Sequence, residues 1–255
     1  MNEKYGTKWS REETILAMEL YCRTPFNKIS KTNPGIIKLA NLIGRTPGSV
    51  GLKMANISHF DPDVKARNLS GMSNASKLDE EIFNEFNKNM YALSSEAEKI
   101  LDKIAGSKTP DYNISLGGHS VTVETIQRVG QEKFREYVLA SYQTKCCITG
   151  LSEAMLLLAS HIKPWKDSDD LTEKTNPQNG LCLNPWHDKA FDRGFITLDN
   201  NYCIVTSQRM KSIEMDDSTR KWFYQYDGKQ INLPDKFLPD KKFIEYHNDV
   251  IFDAF

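Results

Sequence analysis

Residues 156–194 run through a strand, a polar loop, a second strand and a helix, and that order leaves few folds open to this part of the chain. Leu156-Leu-Leu-Ala-Ser-His-Ile162 is a short apolar run with a polar end, bounded by Lys163-Pro164. Its length and its boundary predict a buried strand rather than a helix. A polar loop follows from Asp167 to Gln178, and then Gly180-Leu-Cys-Leu-Asn184 forms a second short strand. Pro185 stands where proline is tolerated best, at the first turn of a helix, and Gly194 stops that helix. A further hairpin is predicted over Ile196–Val205, turning at Asp199-Asn-Asn201.

Polar residues sit at the joints of this unit. His161 ends the first strand, Asn179 opens the second and His187 heads the helix, at intervals of 18 and 8 residues. A single histidine is more often structural than catalytic, so His59, His119 and His247 carry no role here. The set at the joints is different because it comes with its flanks. The stretch Cys147-Ile-Thr-Gly150, then Ala159-Ser-His-Ile-Lys-Pro-Trp165, then Asn179-Gly-Leu-Cys-Leu183, then His187-Asp-Lys-Ala-Phe-Asp-Arg-Gly194 resembles the HNH endonucleases. More narrowly, it resembles a bacterial subgroup described as restriction endonucleases. The lead-in Arg128–Leu139 and the tail Phe243–Phe252 share that likeness, which covers roughly residues 125–252.

The resemblance implies an α+β chain whose C-terminal part is a ββα-metal domain that hydrolyses phosphodiesters. His161 would be the general base, since a neutral imidazole can take a proton from water. Asn179 would orient that imidazole or brace the loop. His187 would hold a divalent metal, Mg²⁺ or Mn²⁺, with Asp188 in its place or beside it, a carboxylate suiting those ions. Lys163, Lys189 and Arg193, with Lys166 nearby, would bind flanking phosphates. Such an enzyme requires the side chains of residues 161 and 187 to meet across the strand–helix corner. One departure stands out: many family members carry Asp or His just before the first histidine, and here that residue is Ser160, a poor ligand. It motivates the alternative of a DNA-binding regulator with a degenerate nuclease domain. Asp192 is expected to be structural. The five cysteines form no Cys-x-x-Cys pair, so neither a disulfide framework nor a structural zinc is expected.

The rest of the chain is read for target binding. Net charge is −1 overall, but residues 1–60 carry nine Lys/Arg against four Asp/Glu. That local excess favours a polyanionic partner, and the resemblance implies that it is DNA, double-stranded above all. Three helices are expected there. The first runs over 9–24 with Ser10 as cap, the second starts at Asn33-Pro34 and ends at Gly44, and the third begins after Arg45-Thr-Pro-Gly48. The pattern is helix-turn-helix-like. The expected division is 1–67 as a helical, DNA-binding domain, 68–118 as linker and charged helix, and 119–255 as the nuclease domain. Residues 78–104 repeat apolar side chains at helical spacing and serve as a spacer or a dimer interface. A homodimer is expected because one site per chain cuts one strand. No apolar run approaches the roughly 18 residues that a membrane span needs, and no signal-peptide core follows Met1, so the cytosol is the expected compartment. Restriction or phage defence, including a requirement for modified bases, follows from the subgroup alone.

Overall fold

The computed structural model describes residues 4, 6–66, 75–106 and 121–252, with side chains from 130 onward in the last span. The readings of the 68–77 linker, the 105–119 boundary and His119 fall wholly or largely outside these residues. Among the described residues six helices come first: α1 (Arg11–Cys22), α2 (Pro34–Ile43), α3 (Pro47–Ser58), α4 (Pro62–Ala66), α5 (Lys77–Phe86) and α6 (Met90–Ala105). Local chemistry sets their ends. Ser10 and Glu13 form a reciprocal capping box on α1, Asn33 caps α2 with Pro34 in its first turn, and Thr46 caps α3 ahead of Pro47. Gly44 takes the left-handed conformation that closes α2. The 78–104 pattern resolves into two helices, because Asn89 caps α6 with a hydrogen bond to Ala92 N–H. Their apolar residues, among them Ile82, Phe86, Leu93 and Ala97, are buried against α1–α3 within the chain.

The second half opens with α7 (Val121–Ser141). It continues through β1 (Leu158–His161), β2 (Gly180–Leu183), α8 (Pro185–Asp192), β3 (Ile196–Leu198), β4 (Ile204–Thr206), α9 (Gln208–Lys211), α10 (Asp217–Tyr224) and α11 (Lys241–Val250). β1 and β2 pair antiparallel, with Ser160 opposite Leu181 and His161 opposite Gly180. β3 and β4 form the expected second hairpin. The α+β class therefore holds, with helices gathered in the first half and two small sheets in the second.

Among the described residues two buried clusters form the interior, and α7 serves both. Tyr137 enters the N-terminal cluster, while Phe134 and Val138 enter the one around the hairpins. α7 comes so close to β2 that a Cβ on Gly180 would lie 2.4 Å from Val138 Cγ2. Lys236 ties the two halves from the other side. It is fully buried, and its ammonium donates to the carbonyls of Tyr21 and of Thr24 (2.9 Å) at the end of α1. A cation there meets the negative end of the helix dipole.

Candidate active site

β1 alternates its side chains, so consecutive residues Ser160 and His161 face opposite sides of the hairpin. His161 turns toward α7. Its ring stacks on Phe134 with centroids 3.7 Å apart and meets Trp165 edge-on at 5.4 Å. Its Nε2 lies 2.9 Å from the Lys174 carbonyl. A carbonyl only accepts, so Nε2 carries the proton and Nδ1 keeps its lone pair. Nδ1 has no hydrogen-bond partner among the described residues. Burial pushes the imidazole down to about 4, partly offset by the bond to Lys174, which leaves it neutral at pH 7.

Asn179 does not touch the ring. It is fully buried and braces the loop that does. Its Oδ1 accepts from Lys163 N–H (2.8 Å), and its Nδ2 donates to Lys163 O (3.1 Å), Ser168 Oγ (3.2 Å) and Glu173 O (3.5 Å). The last acceptor immediately precedes the carbonyl that holds His161. An amide is suited to this place because it donates and accepts without titrating.

On the opposite face of β1, Ser160 is buried beneath α8, and its hydroxyl finds no hydrogen-bond partner of good geometry. Asp188 lies against it. Burial raises the Asp188 carboxyl, as does Asp192 one turn further along α8, while Ser160 and Lys189 pull it down. Among the described residues, no group of three or more His, Cys, Asp or Glu side chains is placed to hold a metal. A half-buried carboxylate beside an orphaned hydroxyl nevertheless fits a hard cation. Mg²⁺-type ions take one or two carboxylates and complete their shell with waters and phosphate oxygens.

His187 lies elsewhere. No hydrogen bond or ring contact joins it to His161, whose ring neighbours are Phe134 and Trp165, whereas those of His187 are Trp222, Phe223 and Tyr226. Its Nδ1 is 2.9 Å from Asn184 Nδ2. The Asn184 amide cannot be turned over, because its Oδ1 caps α8 by accepting from Trp186 N–H and His187 N–H, each at 3.1 Å. Nδ1 of His187 therefore accepts, and Nε2 carries the hydrogen. That nitrogen is buried without a partner, among the rings of Trp222, Phe223 and Tyr226. Desolvation lowers this histidine to about 4. With one nitrogen engaged and the other protonated, His187 offers no lone pair to an ion in this arrangement.

Of the phosphate-binding candidates, Lys163 is engaged with Glu173 at 2.6 Å and lies over Tyr246. Lys189 and Arg193 are exposed on α8 and at its end. His247, read as structural, stacks on Phe191 and donates to its carbonyl, which pins α11 beneath α8. Cys146, Cys147 and Cys182 are free and buried. Burial pushes the Cys182 thiol up to about 12 and the Cys147 thiol well above its ordinary value, so both stay protonated at neutral pH. Several partners escaped sequence reasoning: Phe134 and Trp165 around His161, the Lys174 carbonyl, and Asn184 beside His187.

A β-hairpin crossed by a helix, with a neutral histidine fixed at the strand end, defines the ββα class of nucleases. Residues 146–199 match the family model described as HNH endonuclease, and the chain carries an HNH endonuclease domain over that span. No curated protein matches the chain in sequence. No helix among the described residues is long and apolar enough to cross a membrane.

Proposed function

We propose that this protein is a metal-dependent DNA endonuclease in which His161 activates water and Asp188 is the main protein ligand of Mg²⁺ or Mn²⁺. The observation that carries this reading is the anchored imidazole of His161, inside the segment that matches the HNH family. The Lys174 carbonyl holds Nε2–H and leaves Nδ1 as the nitrogen that accepts a proton. An imidazole lowered to about 4 by burial is a weak base on its own. A phosphodiester brought beside it adds negative charge, which favours the imidazolium as it forms. As water loses its proton to Nδ1, its oxygen bonds to phosphorus and the leaving oxygen departs with its electron pair. A bound divalent ion would supply Lewis-acid stabilisation of the charge gathering on the phosphate. Asn179 is a positioning residue that acts through the loop. Lys189 and Arg193 are free to meet flanking phosphates.

The N-terminal helices fit target binding. α2 and α3 meet at the Gly44–Thr46 turn, and Lys28 and Lys31 ahead of α2 and Lys38 on it are exposed. Arg45 and Lys53 are spent inside the protein, on Glu13 (2.7 Å) and Asp79 (2.5 Å). A restriction or phage-defence role in the cytoplasm, modification-dependent or not, is supported by the likeness of residues 125–252 to the bacterial subgroup. One site per chain means that a double-strand cut takes two copies on one duplex, and a homodimer by light scattering is the expected form.

Plasmid nicking tests the reading. The wild type is expected to nick with Mg²⁺ or Mn²⁺, and His161→Ala and Asp188→Asn are each expected to lose at least a hundredfold, the scale on which a general base contributes. Equal inertness of wild type and His161→Ala across metals, with DNA binding retained, would establish the regulator instead.

A further inference from the structure

An open cavity of about 940 Å³ lies between the Thr149–Ser152 turn, the N-terminus of α8 and α10. The chemistry above makes no use of it. Its walls include Trp186, Trp222 and Tyr226, with Leu151 and Leu156. Trp186 is 69% exposed and Trp222 40%. Two indoles partly exposed at the mouth of one cavity offer flat faces to a ligand.

A second observation points the same way. His187 is 1% exposed, and its Nε2–H, fixed as a donor by Asn184, has nothing to donate to. Its ring lies 5.4–5.7 Å from those of Trp222, Phe223 and Tyr226, which line the cavity. A buried donor left unpaired is costly, and an acceptor brought to it relieves that cost. The hydroxyls of Thr149, Ser152, Ser218 and Thr219 also line the cavity. Lys189, Arg220 and Lys221 are exposed on the same two helices. Flat apolar walls, a lining of hydroxyls and an unpaired donor one ring layer behind them suit a planar heteroaromatic ring.

We propose that this cavity receives an unstacked nucleobase of the nucleic-acid substrate, held against Trp186 and Trp222. The inference rests on nucleic acid being the substrate, and not on His161 as the base.

The test uses the full chain in EDTA, with (dT)12 as ligand and inorganic polyphosphate as a base-free polyanion. Binding of (dT)12 is expected to quench tryptophan fluorescence, and polyphosphate is expected not to. Trp186→Ala and Trp222→Ala are each expected to weaken (dT)12 binding about five- to a hundredfold, the range for losing one stacked base, with polyphosphate affinity and melting temperature unchanged. Unaltered (dT)12 affinity in both variants would overturn the proposal. So would equal losses for both ligands, or an effect confined to self-association in light scattering. Plasmid nicking by the wild type separates this from the hydrolytic reading. Base-dependent binding without nicking supports the cavity and rejects the nuclease, and nicking without base-dependent binding does the reverse.

Discussion

Asn179→Ala isolates the link between the 163–174 loop and the imidazole. The wild-type amide makes three bonds of good length, to Lys163 N (2.8 Å), Lys163 O (3.1 Å) and Ser168 Oγ (3.2 Å), from a fully buried position. At about 1 kcal/mol net for each, truncation costs about 3 kcal/mol, and more where a partner is left buried and unpaired. Since 1.4 kcal/mol is a factor of ten, the open form of the loop should rise by about two orders of magnitude. The hairpin itself keeps its ladder and its packing on α7, so the loss is local. Hydrogen–deuterium exchange should quicken about a hundredfold over 163–174 and stay unchanged over 196–206. Because the Lys174 carbonyl fixes the His161 tautomer, single-turnover nicking should fall at least tenfold. Asn179→Asp should be worse at neutral pH, since it points a carboxylate oxygen at the oxygens that Nδ2 now serves, and it should recover as acid protonates that group. Wild-type exchange over the loop, or wild-type nicking by Asn179→Ala, would refute the chain from amide to loop to imidazole.

Ser160→Asp places a second carboxylate beside Asp188 in a site that is 4% exposed. Without divalent ions it should destabilise by about 1–3 kcal/mol, and Mg²⁺ or Mn²⁺ should raise its melting temperature more than that of the wild type; equal shifts would place the ion elsewhere. Gly180→Ala drives a Cβ to 2.4 Å from Val138 Cγ2 and 2.9 Å from Phe134 Cζ, the ring that supports His161. Overpacking of this kind costs about 1–3 kcal/mol, or several degrees by calorimetry, and an unchanged melting temperature would contradict the close approach. His161, His187 and His247 are each lowered to about 4 by burial, whereas an unfolded histidine titrates near 6.5. The unfolded chain then binds more protons between those values, so the stability present above pH 6.5 is lost as pH falls toward 4. From pH 7.5 to 5.5 the loss should be about 1 kcal/mol for each group, and identical melting curves at the two values would show that these rings are not buried neutral.

The parts of the fold that depend on local chemistry were legible in the sequence. Ser10, Asn33-Pro34 and Gly44 mark helix ends through groups a few residues away, and the structure uses each of them, whereas α3 starts inside the expected Arg45–Gly48 turn, at Pro47 with Thr46 as its cap. The second hairpin was equally plain, since its turn residues interrupt two short apolar runs. The break inside residues 78–104 was missed because an apolar repeat at helical spacing continues across it, while the cap at Asn89 is a single polar residue among many. The surroundings of His161 were beyond reach for a different reason. Phe134 comes from a helix 27 residues earlier, and the Lys174 carbonyl is a backbone atom that no residue type announces.

The placement of His187 did have a signal. His187, Ala190 and Phe191 stand at i, i+3 and i+4, which is the spacing of a buried helix stripe, and all three are buried. Asp188 and Asp192 form the neighbouring polar row at i and i+4, turned toward Ser160 and solvent. On α8 the proposed metal ligand thus lies in the aspartate row, and the histidine packs into the aromatic wall. The period of the strand completes the picture, because Ser160 and His161 must face opposite sides of β1. A phosphate can reach both faces only at the end of the strand, where His161 is the last residue. In-line displacement at phosphorus sets the attacking and leaving oxygens on opposite sides. A hairpin end with an imidazole on one face and a carboxylate row on the other matches that demand without requiring the two histidines to meet.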